Sequence, residues 1–197
     1  MTDDLRSYWD AQAATFDDEP DHGLRDPAVR AAWEELLARL LPPAPADVVD
    51  LGCGTGTLSV LLAGAGHRVR GLDLSERMVV AAGAKADHAG VDAAFTCGDA
   101  SAPPFEPSSA EVVLARHVLW ALPDPADALG RWVRLLRPGG RLVLIEGHWS
   151  TGSGITASRC RKLVLHHRNE ALVEHLDAPA LWGHAIDDER YALVSRS

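Results

Sequence analysis

The chain has 197 residues, 47% of them hydrophobic and 24% charged, which fits one globular domain with a core of useful size. Its formal charge of −9 at pH 7 sets up a field that repels phosphate backbones and anionic lipid, so neither nucleic acid nor membrane is expected as a partner. The densest basic cluster, Arg159, Arg161 and Lys162, suits a solvated helix. Cys53, Cys97 and Cys160 are scattered, and the nine histidines include no His-x-x-x-His pair with a supporting acid, so no metal site is expected. The first residues lead into no apolar run and no stretch is long enough to span a bilayer, which reads as a cytoplasmic protein.

In chain order, residues 1–45 read as helical. Tyr8, Trp9 and Phe16 make an aromatic, acidic first part suited to an arm or lid. Val29, Trp33, Leu36, Leu37, Leu40 and Leu41 then recur at helical spacing after a start at Asp26-Pro27. From residue 47 the pattern alternates. Strands are expected at 47–51, 67–72, 93–96, 111–115 and 141–145. Helices are expected at 57–65, at 75–89 with Ser75 as cap, and at 125–136 with Pro138-Gly139-Gly140 as the stop. A helix over 156–168 and strands at 171–176 and 191–194 complete the reading. Such alternation implies an α/β fold with a doubly wound, mainly parallel sheet of seven strands and flanking helices.

The strongest motif is Val48-Val49-Asp50-Leu51-Gly52-Cys53-Gly54-Thr55-Gly56. Glycines on alternate positions after a buried strand let the backbone turn sharply and approach a ligand closely. The pattern is G-x-G-x-G with an acid two residues ahead, whereas dinucleotide enzymes carry G-x-G-x-x-G and place a pyrophosphate at the helix N-terminus. A carboxylate beside the loop opposes a pyrophosphate and suits a cation. S-adenosyl-L-methionine, with its sulfonium and amino groups and no phosphate, is such a ligand.

Three further pieces follow in order: Gly71-Leu72-Asp73-Leu74-Ser75, Cys97-Gly98-Asp99-Ala100, and Leu135 through Leu142 with its Arg137-Pro138-Gly139-Gly140 turn. Together with the glycine loop they resemble the class I S-adenosylmethionine-dependent methyltransferases over roughly residues 47–147. The resemblance implies a Rossmann-like domain over 46–197 behind an N-terminal helical arm or lid over 1–45. It implies S-adenosyl-L-methionine as cofactor, held by Asp50, Gly52, Cys53, Gly54, Gly56, Asp73, Leu74, Asp99, Ala100 and His117. Asp73 corresponds to the acid on the ribose hydroxyls and Asp99 to the acid that accepts from the adenine amino group. The implied activity is methyl transfer to an oxygen, nitrogen or carbon nucleophile of a small molecule.

In the family, the end of the fourth strand faces the transferred methyl. Here that stretch runs from Ala115 to Pro123 and lacks the Asn/Asp-Pro-Pro-Tyr motif of amino-methylating nucleic-acid enzymes. His117 is its best-placed titratable residue, either as a general base or as a packing histidine under the cofactor. His148, beside Glu146 and after the fifth strand, is the reserve catalytic candidate. Two alternatives stay open: a non-catalytic S-adenosylmethionine-binding module and a nicotinamide-dependent oxidoreductase.

Overall fold

The computed structural model describes residues 2–196; Met1 and Ser197, the outer ends of the two expected segments, lie outside the described residues. Helices α1 (Thr2–Gln12) and α2 (Pro20–Gly23), with a short 3-10 turn at Phe16–Asp18 between them, form the first part of the chain. Helix α3 (Pro27–Leu40) follows. Asp26 starts α3 by accepting the backbone N–H groups of Ala28 and Val29, with Pro27 at the first helical position. Strand β1 (Asp47–Leu51), α4 (Thr57–Gly64), β2 (Arg68–Asp73), α5 (Glu76–Ala89) and β3 (Ala93–Cys97) make the first half of the sheet layer. Strand β4 (Ala110–Arg116), α6 (Pro125–Leu135), β5 (Leu136–His148), α7 (Ala157–Val164), β6 (Leu172–His175), α8 (Pro179–Trp182) and β7 (Glu189–Ser195) make the second.

The seven strands lie in the order β3-β2-β1-β4-β5-β7-β6. β7 runs antiparallel to both neighbours, and the other pairings are parallel. The order reverses between β1 and β4, and ligands of open α/β sheets bind in the crevice at the carboxyl ends of strands at such a reversal.

Side chains of the central strands alternate between two apolar layers, as the period of two requires. Val49, Leu51, Val113, Ala115, Leu142 and Leu144 face the layer completed by Leu129 and Trp132 of α6 and Val164 of α7. Val48, Val112, Leu114, Val143 and Ile145 face the layer completed by α3, α4 and α8. Trp33 of α3 is fully buried there and donates its indole N–H to the Leu181 carbonyl at 2.7 Å. Full burial of one such large side chain stabilises by roughly 1.5–3 kcal/mol, so these faces fix the register of the sheet.

Two boundaries differ from the sequence expectation. Leu136 already pairs with Ala110, the register slips there, and regular pairing resumes at Arg141 with Val112. The Pro138-Gly139-Gly140 turn is thus an irregularity within β5, and α6 has ended before it. Helix α7 closes at Val164, four residues short of Arg168, whose guanidinium reaches Ser195 and the Gly140 carbonyl.

Candidate active site

The site is built where β1 ends. Gly52, Gly54 and Gly56 all have left-handed φ values, 70°, 57° and 75°. The N–H groups of Gly52 and Cys53 donate to the Leu72 carbonyl of β2 at 2.7 and 3.0 Å, which folds the loop back over the neighbouring strand. A Cβ on Gly52 would stand 2.3 Å from Val118 Cγ2, and one on Gly54 would stand 3.1 Å from the Phe16 ring. Gly56 acts differently from expectation. It is the N-cap of α4, its absent Cβ makes room for Ala82 of α5 at 2.7 Å, and it stands off the cleft wall. Its requirement is close packing between elements.

Asp73, at the end of β2, accepts the Gly54 N–H at 2.8 Å on one carboxylate oxygen and the Ser75 N–H at 2.9 Å on the other. It therefore ties the glycine loop to the start of α5. Burial pushes its carboxyl up, against the pull of those N–H groups. Asp50 is buried, accepts from the Ser59 hydroxyl at 2.6 Å, and is pushed up to about 6 by desolvation. Asp99 is exposed beyond β3 and accepts the Ser101 N–H at 2.7 Å. Cys53, Leu74 and Ala100 line the same cleft as these acids. Burial raises the Cys53 thiol well above its ordinary value, so it stays protonated.

The cleft encloses 1320 Å³. Its roof is Leu5, Tyr8, Trp9 and Phe16 of the N-terminal part. Polar contacts hold that roof down, among them a hydrogen bond from the Thr55 hydroxyl to Asp17. The Ser75 hydroxyl donates to Asp10, Arg6 donates to the Leu74 carbonyl at 3.3 Å, and Lys85 of α5 sits 2.7 Å from Asp17.

The far wall comes from the end of β4. His117 has φ 58°, an uncommon conformation for a residue with a Cβ, and its Nε2 is buried without a partner. Desolvation, with Arg116, His22 and Arg190 nearby, drives its imidazole well below the ordinary histidine range, so the ring is neutral at pH 7. Glu146 of β5 holds the loop behind it. One carboxylate oxygen accepts the N–H groups of Val118 at 3.0 Å and Leu119 at 2.7 Å.

His117 thus lies on the cleft wall with Asp50, Gly52, Cys53, Gly54, Asp73, Leu74, Asp99 and Ala100. His148 does not line it. That residue ends β5, opposite Glu189 and bridged to Gly154, and the alternation of the strand delivers its successor Trp149 to the cleft instead. The sequence reading also passes over Trp120, Trp149, Arg116 and Arg190, all of which line the cavity. Trp149 packs edge-on to His117 and to Trp120 at centroid distances of 5.1 and 5.4 Å. Arg190 lies 5.1 Å from the Trp149 ring centroid. The signal for Arg116 was its place at the end of a buried strand beside His117, where a charge needs a reason. It donates to the Asp21 carbonyl and stacks over Trp33.

These features define a Rossmann-like, nucleoside-binding class of protein. Residues 49–144 match the family described as methyltransferase domain. The chain is 33% identical over 141 residues to the 27-O-demethylrifamycin SV methyltransferase of Amycolatopsis mediterranei, covering 70% of this chain and 48% of that one. It is also 33% identical over 141 residues to a ubiquinone biosynthesis O-methyltransferase of Burkholderia multivorans, covering 71% of this chain and 57% of that one. The chain thus spans about half the length of these curated relatives. Among solved structures, the [4+2]-cyclase SpnF superposes with a TM-score of 0.74 at 20% identity, over 84% of this chain and 80% of that one, which shows the shared fold. The matched segment, residues 49–144, is a methyltransferase domain of the class I S-adenosylmethionine-dependent family, whose cofactor is S-adenosylmethionine.

The residues present fit that cofactor. Carboxylates outnumber arginines on the cleft walls, as suits a cationic ligand, and among the described residues no lysine lines the cleft to receive a phosphate. Among the described residues no helix is long and apolar enough to cross a membrane.

Proposed function

We propose that this protein transfers a methyl group from S-adenosylmethionine to a hydroxyl oxygen of a small, largely apolar molecule. The observation that carries the reading is the glycine cradle tied to Asp73 at the sheet's reversal point, under an aromatic roof. When bound, the cofactor supplies an electrophilic methyl on a sulfonium. Gly52 and Gly54 admit it, Asp73 meets the ribose hydroxyls, and Asp99 accepts from the adenine amino group. Asp50, beside the loop, favours the cationic end.

The protein's further task is to hold the acceptor in line with the methyl and keep water out. Tyr8, Trp120 and Trp149 supply flat apolar walls suited to a planar acceptor. His117 presents a neutral imidazole able to take the proton of a hydroxyl as it attacks. Residues 2–23 serve as the lid over this space, ahead of α3, which packs in the core. The oxygen acceptor is favoured by the names of the two relatives, both methylating enzymes of small molecules. Nucleic acid and membrane are not partners in this reading, given the net charge of −9.

Calorimetric titration with S-adenosylmethionine and with NADH, followed by a radiolabelled methyl-transfer assay on a panel of phenols and hydroquinones, tests it. Donor binding with label transferred to a phenol is expected. NADH binding in preference to the methyl donor would overturn the proposal, and donor binding without transfer to any acceptor would favour a binding module.

A further inference from the structure

Three side chains outside the cofactor cradle converge on the cleft. Asp21 and His22 come from α2, and His117 comes from the end of β4, 95 residues further on. One ligand-capable atom of each lies within 4.8 Å of the others, and all three line the cavity. The sequence offers no warning of this. The spacing rules for metal ligands look for pairs on one helix or hairpin, and here the fold assembles the set from a lid and a strand end.

The surroundings prepare these groups as ligands. The His22 ring stacks on Phe16, with centroids 4.3 Å apart and planes 13° from parallel, and its Nδ1 lies 3.3 Å from the Phe16 carbonyl. A proton on Nδ1 bonding that carbonyl leaves Nε2 as a lone pair, 3.7 Å from an Asp21 carboxylate oxygen. Metal-bound histidines are oriented in this way, by a backbone carbonyl on the second nitrogen. His117 is fixed between Trp149 and Trp182 in a left-handed conformation, with its Nε2 buried and unpartnered. A buried imidazole nitrogen without a partner, on strained backbone, is a feature that a ligand resolves. Two cations stand nearby: Arg116, balanced by Asp50, Asp17 and Asp21, and Arg190, paired with Asp188 at 3.0 Å.

We propose that Asp21, His22 and His117 bind one divalent transition-metal ion, of the zinc, iron or cobalt type, at the acceptor end of the cleft. Two imidazoles and one carboxylate with further positions open are the donor set of catalytic zinc and non-haem iron centres. Tetrahedral bonds of about 2.1 Å put donors roughly 3.4 Å apart, so small rotations of the three side chains close the site. The open position faces the cavity and takes an oxygen of the acceptor. That role rests on the methyl-transfer reading: the ion would lower the pKa of a bound hydroxyl, whose proton passes to solvent before the oxygen takes the methyl and the neutral thioether leaves, and His117 then serves as ligand in place of base. The site itself does not depend on that reading.

The test uses the full, tag-free chain, stripped with chelator and titrated with Co²⁺ and Zn²⁺. One ion per chain is expected by calorimetry, with cobalt ligand-field absorption in the visible. His22→Phe keeps the stack on Phe16 and should weaken cobalt binding at least tenfold, as should Asp21→Asn and His117→Gln. Circular dichroism and donor titration confirm that each variant is folded. Absence of stoichiometric binding at micromolar protein overturns the proposal, as does binding that persists unchanged in folded His22→Phe and Asp21→Asn. Metal binding in a protein with no methyl transfer leaves the site standing and removes the catalytic reading instead.

Discussion

Glu146 and Leu119 are joined by a 2.7 Å hydrogen bond from the Leu119 N–H to a carboxylate that has no exposed surface. This bond, with its twin from Val118, fastens the loop carrying His117 to the middle of the sheet. Desolvation pushes Glu146 from 4.5 up to about 8, and its second oxygen has no partner. A raised carboxyl pKa means that the folded state holds a proton that the unfolded state has lost. Its contribution is most favourable below pH 4.5 and is lost as pH rises toward 8. Glu146→Gln keeps the acceptor and removes the titration. It should raise thermal stability at pH 8 relative to the parent, by on the order of a few kcal/mol, with little change near pH 4.5. Melting curves at the two pH values check this; a variant equally destabilised at both would show that the carboxylate is needed ionised.

Gly52→Ala meets two obstacles, a φ of 70° and a Cβ 2.3 Å from Val118. The backbone part costs about 1–3 kcal/mol for a residue with a Cβ. Val118→Ala in the same chain should relieve the steric part alone. The single variant should lose stability and donor affinity, and the double variant should recover part of both. A double-mutant cycle by denaturant melts and calorimetry reads the coupling. Strict additivity would contradict the contact as the cause.

Asp73 bridges Gly54 and Ser75, so its loss affects the cradle as well as the proposed ribose contact. Asp73→Ala should weaken S-adenosylmethionine by about one to two orders of magnitude, since each 1.4 kcal/mol is tenfold. Unaltered affinity in a folded variant removes Asp73 from the site. Asp99→Ala should weaken the adenosyl donor and leave an inosine analogue nearly unaffected, because only the former offers an amino group. Equal losses for both would assign Asp99 to the turn at Ser101 alone.

The roof is latched to α5 by Lys85, which reaches Asp17 at 2.7 Å and also donates to Thr55 and Thr57. Burial lowers the Lys85 ammonium, with Asp17 opposing. Asp17→Asn should loosen the roof without opening the core, because the Val29–Leu40 face of α3 is untouched. The expected result is a several-fold faster donor off-rate with a melting temperature within a few degrees of the parent. An unchanged off-rate would mean that the remaining contacts, through Asp10, Arg6, Thr55 and Arg116, hold the roof without the Lys85 ion pair.

The fold was legible because the sheet's alternation is written in short apolar runs, and caps such as Asp26 and Ser75 mark helix starts directly. The cradle was legible because glycines at Gly52 and Gly54 answer a local backbone requirement. Gly56 was read as part of the ligand loop since nothing local separates a ligand's space from that of Ala82, which lies on another helix. His148 was misplaced by one step of strand alternation relative to Trp149. The Asp21–His22–His117 grouping was invisible because it depends on how the lid docks, a long-range fact that no local pattern encodes.

His117 carries the last prediction. Its imidazole is driven well below the ordinary 6.5 by burial and by neighbouring Arg116, His22 and Arg190. On the proposed methyl-transfer reading, the ring in chelator-treated protein would act as the base for the acceptor hydroxyl. The single-turnover rate should then rise with pH through one ionisation that falls below 6.5 and level off above it, because the neutral ring is the active form. His117→Ala should lower that rate by about 10²–10⁴-fold and abolish the limb. The same variant also removes a ring packed against Trp149 and Trp182, so donor affinity must be measured alongside. A slowed variant that retains the acid limb would assign the ionisation elsewhere and leave His117 a packing role. Unchanged rate and profile would mean that alignment of acceptor and methyl alone carries the reaction.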